Sequence, residues 1–76
     1  MLTNQYMEVF MHKDYDNSAM LRLIEERVHN ELHRRVLKLR LIDGWTYERI
    51  AEAVDRTPRQ IYYIVTSTVK HLYLLL

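Results

Sequence analysis

The segment TYERIAEAVDRTPRQIYYIV, residues 46–65, holds two helix starts and one helix stop. Thr57 and Gln60 have the spacing of a capping box, in which each side chain bonds the other's orphan backbone N–H. Pro58 then falls at the first helical position, where its missing N–H costs nothing. A cap of this kind is worth ~1 kcal/mol, so a helix is expected to begin at Pro58. Upstream, Thr46 is placed to cap a short helix over residues 47–54, with Ile50, Ala51 and Val54 facing inward. Ala51 is small and lets a following helix pack closely across it. Asp55, Arg56 and Thr57 are left as a turn, and Asp tolerates the left-handed backbone such turns need.

The rest of the chain reads as helix too. One Gly and one Pro in 76 residues are too few for a set of strands and hairpins. Residues 1–16 show no clean period and are read as an N-terminal arm. From Asn17 or Ser18 the apolar residues Leu21, Ile24, Val28 and Leu32 recur at helical spacing, and Val36, Leu39 and Ile42 continue the stripe. Residues 18–42 fit either one helix or two, broken at His29-Asn30 with Asn30 capping the second. Asp43-Gly44 stops the helix, because Gly adopts the left-handed conformation that ends helices. The expected fold is all-α: a small four-helix domain over residues 17–76, with a helix-turn-helix at about 46–74.

Composition narrows the chemistry. There is no cysteine, hence no disulfide framework and no thiolate metal site. No apolar run approaches the ~18 residues of a membrane span. The N-terminus lacks a basic region followed by an apolar stretch, so it is not read as a signal peptide, and a cytoplasmic location is expected. Net charge is only +1, but its distribution is uneven. Residues 56–76 carry Arg56, Arg59 and Lys70 without an acid, and residues 33–40 carry His33, Arg34, Arg35, Lys38 and Arg40 without one. Glu25, Glu26, Glu31, Glu48 and Glu52 lie elsewhere. Locally basic faces of this kind suit nucleic acid, although charge runs are also commonly plain solvated helix faces.

Within the fourth helix Ile61, Val65, Thr68 and Leu72 form the inward stripe. The opposite side of its first turns carries Arg59, Gln60, Tyr62, Tyr63 and Thr66. Arg bonds guanine bidentately, Gln bonds adenine, and Tyr touches a phosphate or a thymine methyl. Two helices joined by a three-residue turn, with such residues on the second, describe a DNA-reading helix-turn-helix. Base contacts are expected from Arg59, Gln60 and Tyr63, and phosphate contacts from Thr57, Thr66 and Lys70. Trp45 and Tyr47 are expected to pack the turn.

The stretch RRVLKLRLIDGWTYERIAEAVDRTPRQIYYIVTSTVKHL, residues 34–72, resembles the fourth-region helix-turn-helix of sigma-70 RNA polymerase factors. It looks closest to the small sigma-like regulators of phages and mobile elements. Arg34, Val36, Leu37, Leu39, Arg40, Ile42, Gly44, Thr46, Tyr47, Glu48, Ile50 and Ala51 carry the first half of the likeness. Arg59, Gln60 and Tyr62 carry the second, with Ile61 in place of Val. The resemblance implies a DNA-binding transcriptional regulator of a bacterial cell, encoded by a phage or mobile element. It places DNA contact on Arg59, Gln60 and Tyr63 and implies RNA polymerase as a further partner. The chain departs from the pattern at Asp55, where Gly or Asn is usual, and at Thr68, where a small apolar residue is usual. Tyr63 and Thr66 also stand at positions that are often basic.

The alternative is a protein-binding module of the same shape, gripping RNA polymerase or another host protein. The C-terminal leucines Leu72, Leu74, Leu75 and Leu76 cannot all share one helix face. They are expected to join two copies of the chain, since dimers commonly double a helix-turn-helix site. The competing expectation is that they close the core against Leu21, Ile24 and Val28. His29 and His33 stand four apart, yet HNELH is not the zinc-protease pattern and no third ligand is evident. No nucleophile set or glycine-rich phosphate loop occurs, so no enzyme, cofactor or metal is expected.

Overall fold

Helix ends, more than helix propensities, decide how this chain folds. The structure is a computed structural model that describes the backbone of residues 17–75 and the side chains of residues 17–72. The arm expected over 1–16 lies outside the described residues, as does Leu76. The elements are α1 (Asn17–Arg27), α2 (Glu31–Leu37) with a π-helical continuation (Lys38–Ile42), α3 (Tyr47–Val54) and α4 (Pro58–Leu75). The domain is all-α, with no strand among the described residues.

Residues 18–42 form two helices, and Asn30 is the reason. It is extended (φ −89°, ψ 123°), and its Oδ1 accepts the His33 N–H at 3.1 Å. The break also exposes the carbonyls at the end of α1, which have no intrahelical partner. The Arg34 side chain answers one of them by donating its Nε–H to the Val28 carbonyl.

The C-terminal end of α2 widens before it stops. The Asp43 N–H donates to the Lys38 carbonyl at 3.1 Å, and the Trp45 N–H reaches back to Leu39 at 2.9 Å. Gly44 makes this closure with φ +71°, and a Cβ built there would meet nothing within 4 Å. The demand for glycine is therefore backbone conformation alone. Arg40 ties the closure down by donating to the Trp45 carbonyl at 2.9 Å.

In α3, Thr46 Oγ1 accepts the Arg49 N–H at 3.1 Å, and Glu48 sits in the first turn against the positive helix end. Asp55 ends the helix in the left-handed conformation (φ 57°, ψ 51°). The Arg56 N–H then bonds the Ala51 carbonyl at 2.9 Å, the six-to-one bond of a Schellman closure. The capping box of α4 forms in both directions. Gln60 Oε1 accepts the Thr57 N–H at 2.9 Å, and Thr57 Oγ1 accepts the Gln60 N–H at 3.2 Å.

The core joins Met20, Ile24 and Val28 of the α1 side to Val36 and Leu37 of α2. Ile50 and Ala51 come from α3, and Ile61, Val65, Val69 and Leu72 from α4. Three details differ from the sequence expectation, one being Val69 of α4, which is fully buried beside the expected stripe. Leu21 is 37% exposed, and Met20 takes the inward place instead. Residues 20, 24 and 28 make a ridge at strict spacing of four, which is the row α1 turns inward. Leu37 is buried beside Val36, because α2 packs against α1, α3 and α4 and so buries more than one stripe. Among the described residues no helix is long and apolar enough to cross a membrane.

These closures set a testable order of stabilities. Gly44→Ala is expected to lower unfolding free energy by about 1–2 kcal/mol through backbone strain alone. Thr57→Ala is expected to lower it by about 1 kcal/mol. Asp55→Gly is expected to leave it unchanged or raise it, since glycine takes the left-handed conformation without a Cβ penalty. Urea denaturation of the three variants reads the series, and a neutral Gly44→Ala refutes the closure described.

Candidate nucleic-acid interface

With Ile61, Val65, Val69 and Leu72 turned inward, the phase of α4 is fixed. Arg59, Gln60, Tyr63, Ser67 and Lys70 emerge on its solvent side, and Thr57 is exposed just before it. Ser67 was not singled out from sequence. Its place four residues after Tyr63 was the available signal, and its hydroxyl donates to the Tyr63 carbonyl at 2.6 Å.

Thr66 does not belong to this row. It is only 4% exposed, and its hydroxyl donates to the Tyr62 carbonyl at 2.8 Å. A buried hydroxyl satisfies itself on the preceding helical turn in this way. Leu72 is fully buried in the core, so it closes the domain and offers nothing to a second copy. The side chains of Leu74 and Leu75, and Leu76 altogether, lie outside the described residues.

The capping box limits what the first turn can offer. Gln60 Oε1 is engaged by the Thr57 N–H, which leaves the carboxamide NH₂ pointing outward as a donor. A bidentate adenine contact uses both ends of the amide and draws on the second lone pair of an oxygen the cap already engages. The Thr57 hydroxyl accepts within the cap and keeps its own proton to donate. Pro58 has no N–H, and the Thr57, Gln60 and Ile61 amides are bonded. The Arg59 amide is what remains of the anion-binding end of the helix.

The paired tyrosines divide their work. Tyr62 is half-buried and meets Tyr47 edge-on at 5.8 Å, while Tyr63 is 56% exposed and meets Tyr62 at 5.9 Å. Arg40 lies 4.5 Å over Tyr47, and Arg59 lies 5.8 Å from the Tyr63 ring. The result is a ladder from the end of α2, through the start of α3, to the outer face of α4. Edge contacts and cation–π contacts of this kind are worth roughly 0.5–1.5 kcal/mol each. They hold Tyr63 and Arg59 at a set height above the helix. Trp45 packs the turn as expected, with Arg49 4.0 Å over its ring.

The basic run over 33–40 does not make a phosphate track. Arg34 is bonded to Val28, Lys38 pairs with Glu25 at 3.0 Å, and Arg40 holds Trp45 and Tyr47. Arg35 is exposed, but the surface around it includes Glu31 and Asp43. The cations beside the α4 row are therefore Arg56, Arg59 and Lys70, all exposed. No family model matches this chain, and neither does any curated protein or solved structure.

Arg40 and Lys38 separate structural from superficial charge. Arg40→Ala is expected to cost about 2 kcal/mol, since it removes a charged hydrogen bond and a cation–π contact together. Lys38→Ala removes an exposed pair and is expected to cost under about 1 kcal/mol, a loss that salt erases. Thermal unfolding at low and high salt distinguishes them.

Proposed function

We propose that this domain is a sequence-specific DNA-binding transcriptional regulator of a phage or mobile element, with α3 and α4 acting as a helix-turn-helix. The observation that carries the reading is the exposed row Arg59, Gln60, Tyr63, Ser67 and Lys70 on a helix whose first turn is locked by its cap. The α4 helix enters the major groove, Arg59 and Tyr63 face base edges, and Thr57 and Lys70 face phosphates. The likeness of residues 34–72 to the fourth region of sigma factors supports the same assignment. Selection from a random duplex pool tests it: enrichment of a defined site is expected.

A second reading is a module that grips RNA polymerase or another host protein through the same row. Internal use of Arg34, Lys38 and Arg40 favours it, because few cations remain for phosphates. Absence of any enriched duplex, with salt-insensitive binding to polymerase, decides for this second reading.

On the selected site, Arg59→Ala is expected to weaken binding by about 1–3 kcal/mol and to relax preference at one base position. Lys70→Ala is expected to lower the salt slope by about one without altering preference. A uniform loss from Arg59→Ala would make it a phosphate contact, and no loss would remove α4 from the groove. The regulator is further proposed to act as a homodimer joined through Leu74, Leu75 and Leu76. Sedimentation of the native chain and of a Leu74→Glu, Leu75→Glu variant is expected to show a dimer and a monomer respectively. Two monomers reject the interface.

A further inference from the structure

The outer row of α4 offers a nucleic acid less than its residue types promise. Gln60 has its oxygen in the cap, engaged by the Thr57 N–H at 2.9 Å. Ser67 spends its proton on the Tyr63 carbonyl at 2.6 Å. Thr57 and Lys70 stand at the two ends of the row, so its middle is left to Arg59 and Tyr63. Tyr63 is 56% exposed, and among the described residues Leu21 of α1 is the only other exposed large hydrophobic side chain. A single exposed apolar group is ordinary. Tyr63 is set apart by what holds it. Its ring meets Tyr62 at 5.9 Å with the planes 71° apart, and the Arg59 guanidinium stands 5.8 Å from its centroid. Tyr62 is in turn braced by Tyr47, 5.8 Å away. An aromatic ring held in place before contact loses little freedom on binding.

The major groove presents a single apolar group to such a ring, the C5-methyl of thymine. A phosphate would engage only the Tyr63 hydroxyl and leave the ring in water. Arg59 and Tyr63 stand about one helical turn apart. In zinc-finger helices, side chains at that kind of spacing contact successive bases. We propose that Tyr63 reads the 5-methyl group of a pyrimidine at the base pair next to the one that Arg59 contacts. This role for Tyr63 rests on the proposed entry of α4 into the major groove. The methyl group belongs either to thymine or to 5-methylcytosine, which carries the same group at the same ring position.

The duplex enriched from the random pool is the probe. Each thymine in it is replaced singly by deoxyuridine, which removes the methyl group and keeps the pairing. Affinity of the intact chain is read by fluorescence anisotropy. One replacement, adjacent to the position where Arg59→Ala relaxes preference, is expected to weaken binding roughly fourfold, the worth of one buried methyl group. Tyr63→Phe keeps the ring and is expected to keep that sensitivity. Tyr63→Ser, altered at an exposed position, is expected to bind the thymine and deoxyuridine duplexes equally while keeping its amide spectrum. Cytosine and 5-methylcytosine, each paired with guanine at the same position, then identify the source. Tighter binding of the methylated form by the native chain, lost in Tyr63→Ser, assigns both methylpyrimidines to the site, and no difference assigns thymine alone. An enriched site with no thymine beside the Arg59 position, or one that tolerates every deoxyuridine, overturns the proposal and leaves α4 in the groove. So does a methyl effect that survives in Tyr63→Ser. Weaker binding by Tyr63→Phe without any methyl effect also overturns it and makes Tyr63 a phosphate contact. Failure to enrich any duplex overturns the groove reading itself, and this role with it.

Discussion

The start of α4 is the constraint on which everything else in this domain depends. Hydrophobic burial draws α4 onto α2 and α3 but does not by itself say which face turns inward, because burial is roughly proportional to area and carries no direction. With ~3.6 residues per turn, a shift of one residue at the start rotates every side chain by about 100°. Tyr62 would then compete with Ile61 for the core. The left-handed Asp55 and the reciprocal Thr57–Gln60 bonds remove that freedom. Once the first turn is fixed, Ile61, Val65, Val69 and Leu72 fall inward, and Arg59, Tyr63, Ser67 and Lys70 fall outward.

What the sequence made legible were features decided by residues three or four apart. Asn30, Thr46 and Thr57 act as caps, Gly44 ends α2, and Asp55 turns left-handed, all as local spacing and backbone preference suggest. The four-helix division follows from them. What stayed hidden depends on partners far away in the chain. Nothing near Lys38 shows that Glu25, thirteen residues earlier, will neutralise it. Nothing near Arg40 shows that it will lie over Tyr47 once α2 widens and closes at Gly44. Thr66 misled for the same reason. On a helical wheel it stands beside the outer row, and only the surrounding structure makes that position buried. Met20 displaced Leu21 because both satisfy the period and only the packing geometry distinguishes them.

Charge in this protein is sorted by function rather than by number. The cations of α2 act within the fold as hydrogen-bond donors to helix ends and as faces for aromatic rings. Arg49 does the same for Trp45. What remains outside is a short set on and before α4, with Arg22, Arg27 and Arg35 exposed on α1 and α2. The surface potential of a nearly neutral chain is therefore made locally, by a few exposed cations.

The same economy bears on Gln60. Its side chain stands among the outward residues of α4, yet its oxygen holds the cap that sets the phase of the helix. An adenine contact that loosened the cap would cost ~1 kcal/mol of helix stability, against the ~1–3 kcal/mol of discrimination a good bidentate contact returns. Arg59 and Tyr63 face no such conflict, since neither takes part in a cap and the ladder through Tyr62 and Tyr47 supports both. Specificity in the proposed interface therefore concentrates on Arg59 and Tyr63, while Gln60 acts chiefly by keeping those two aimed.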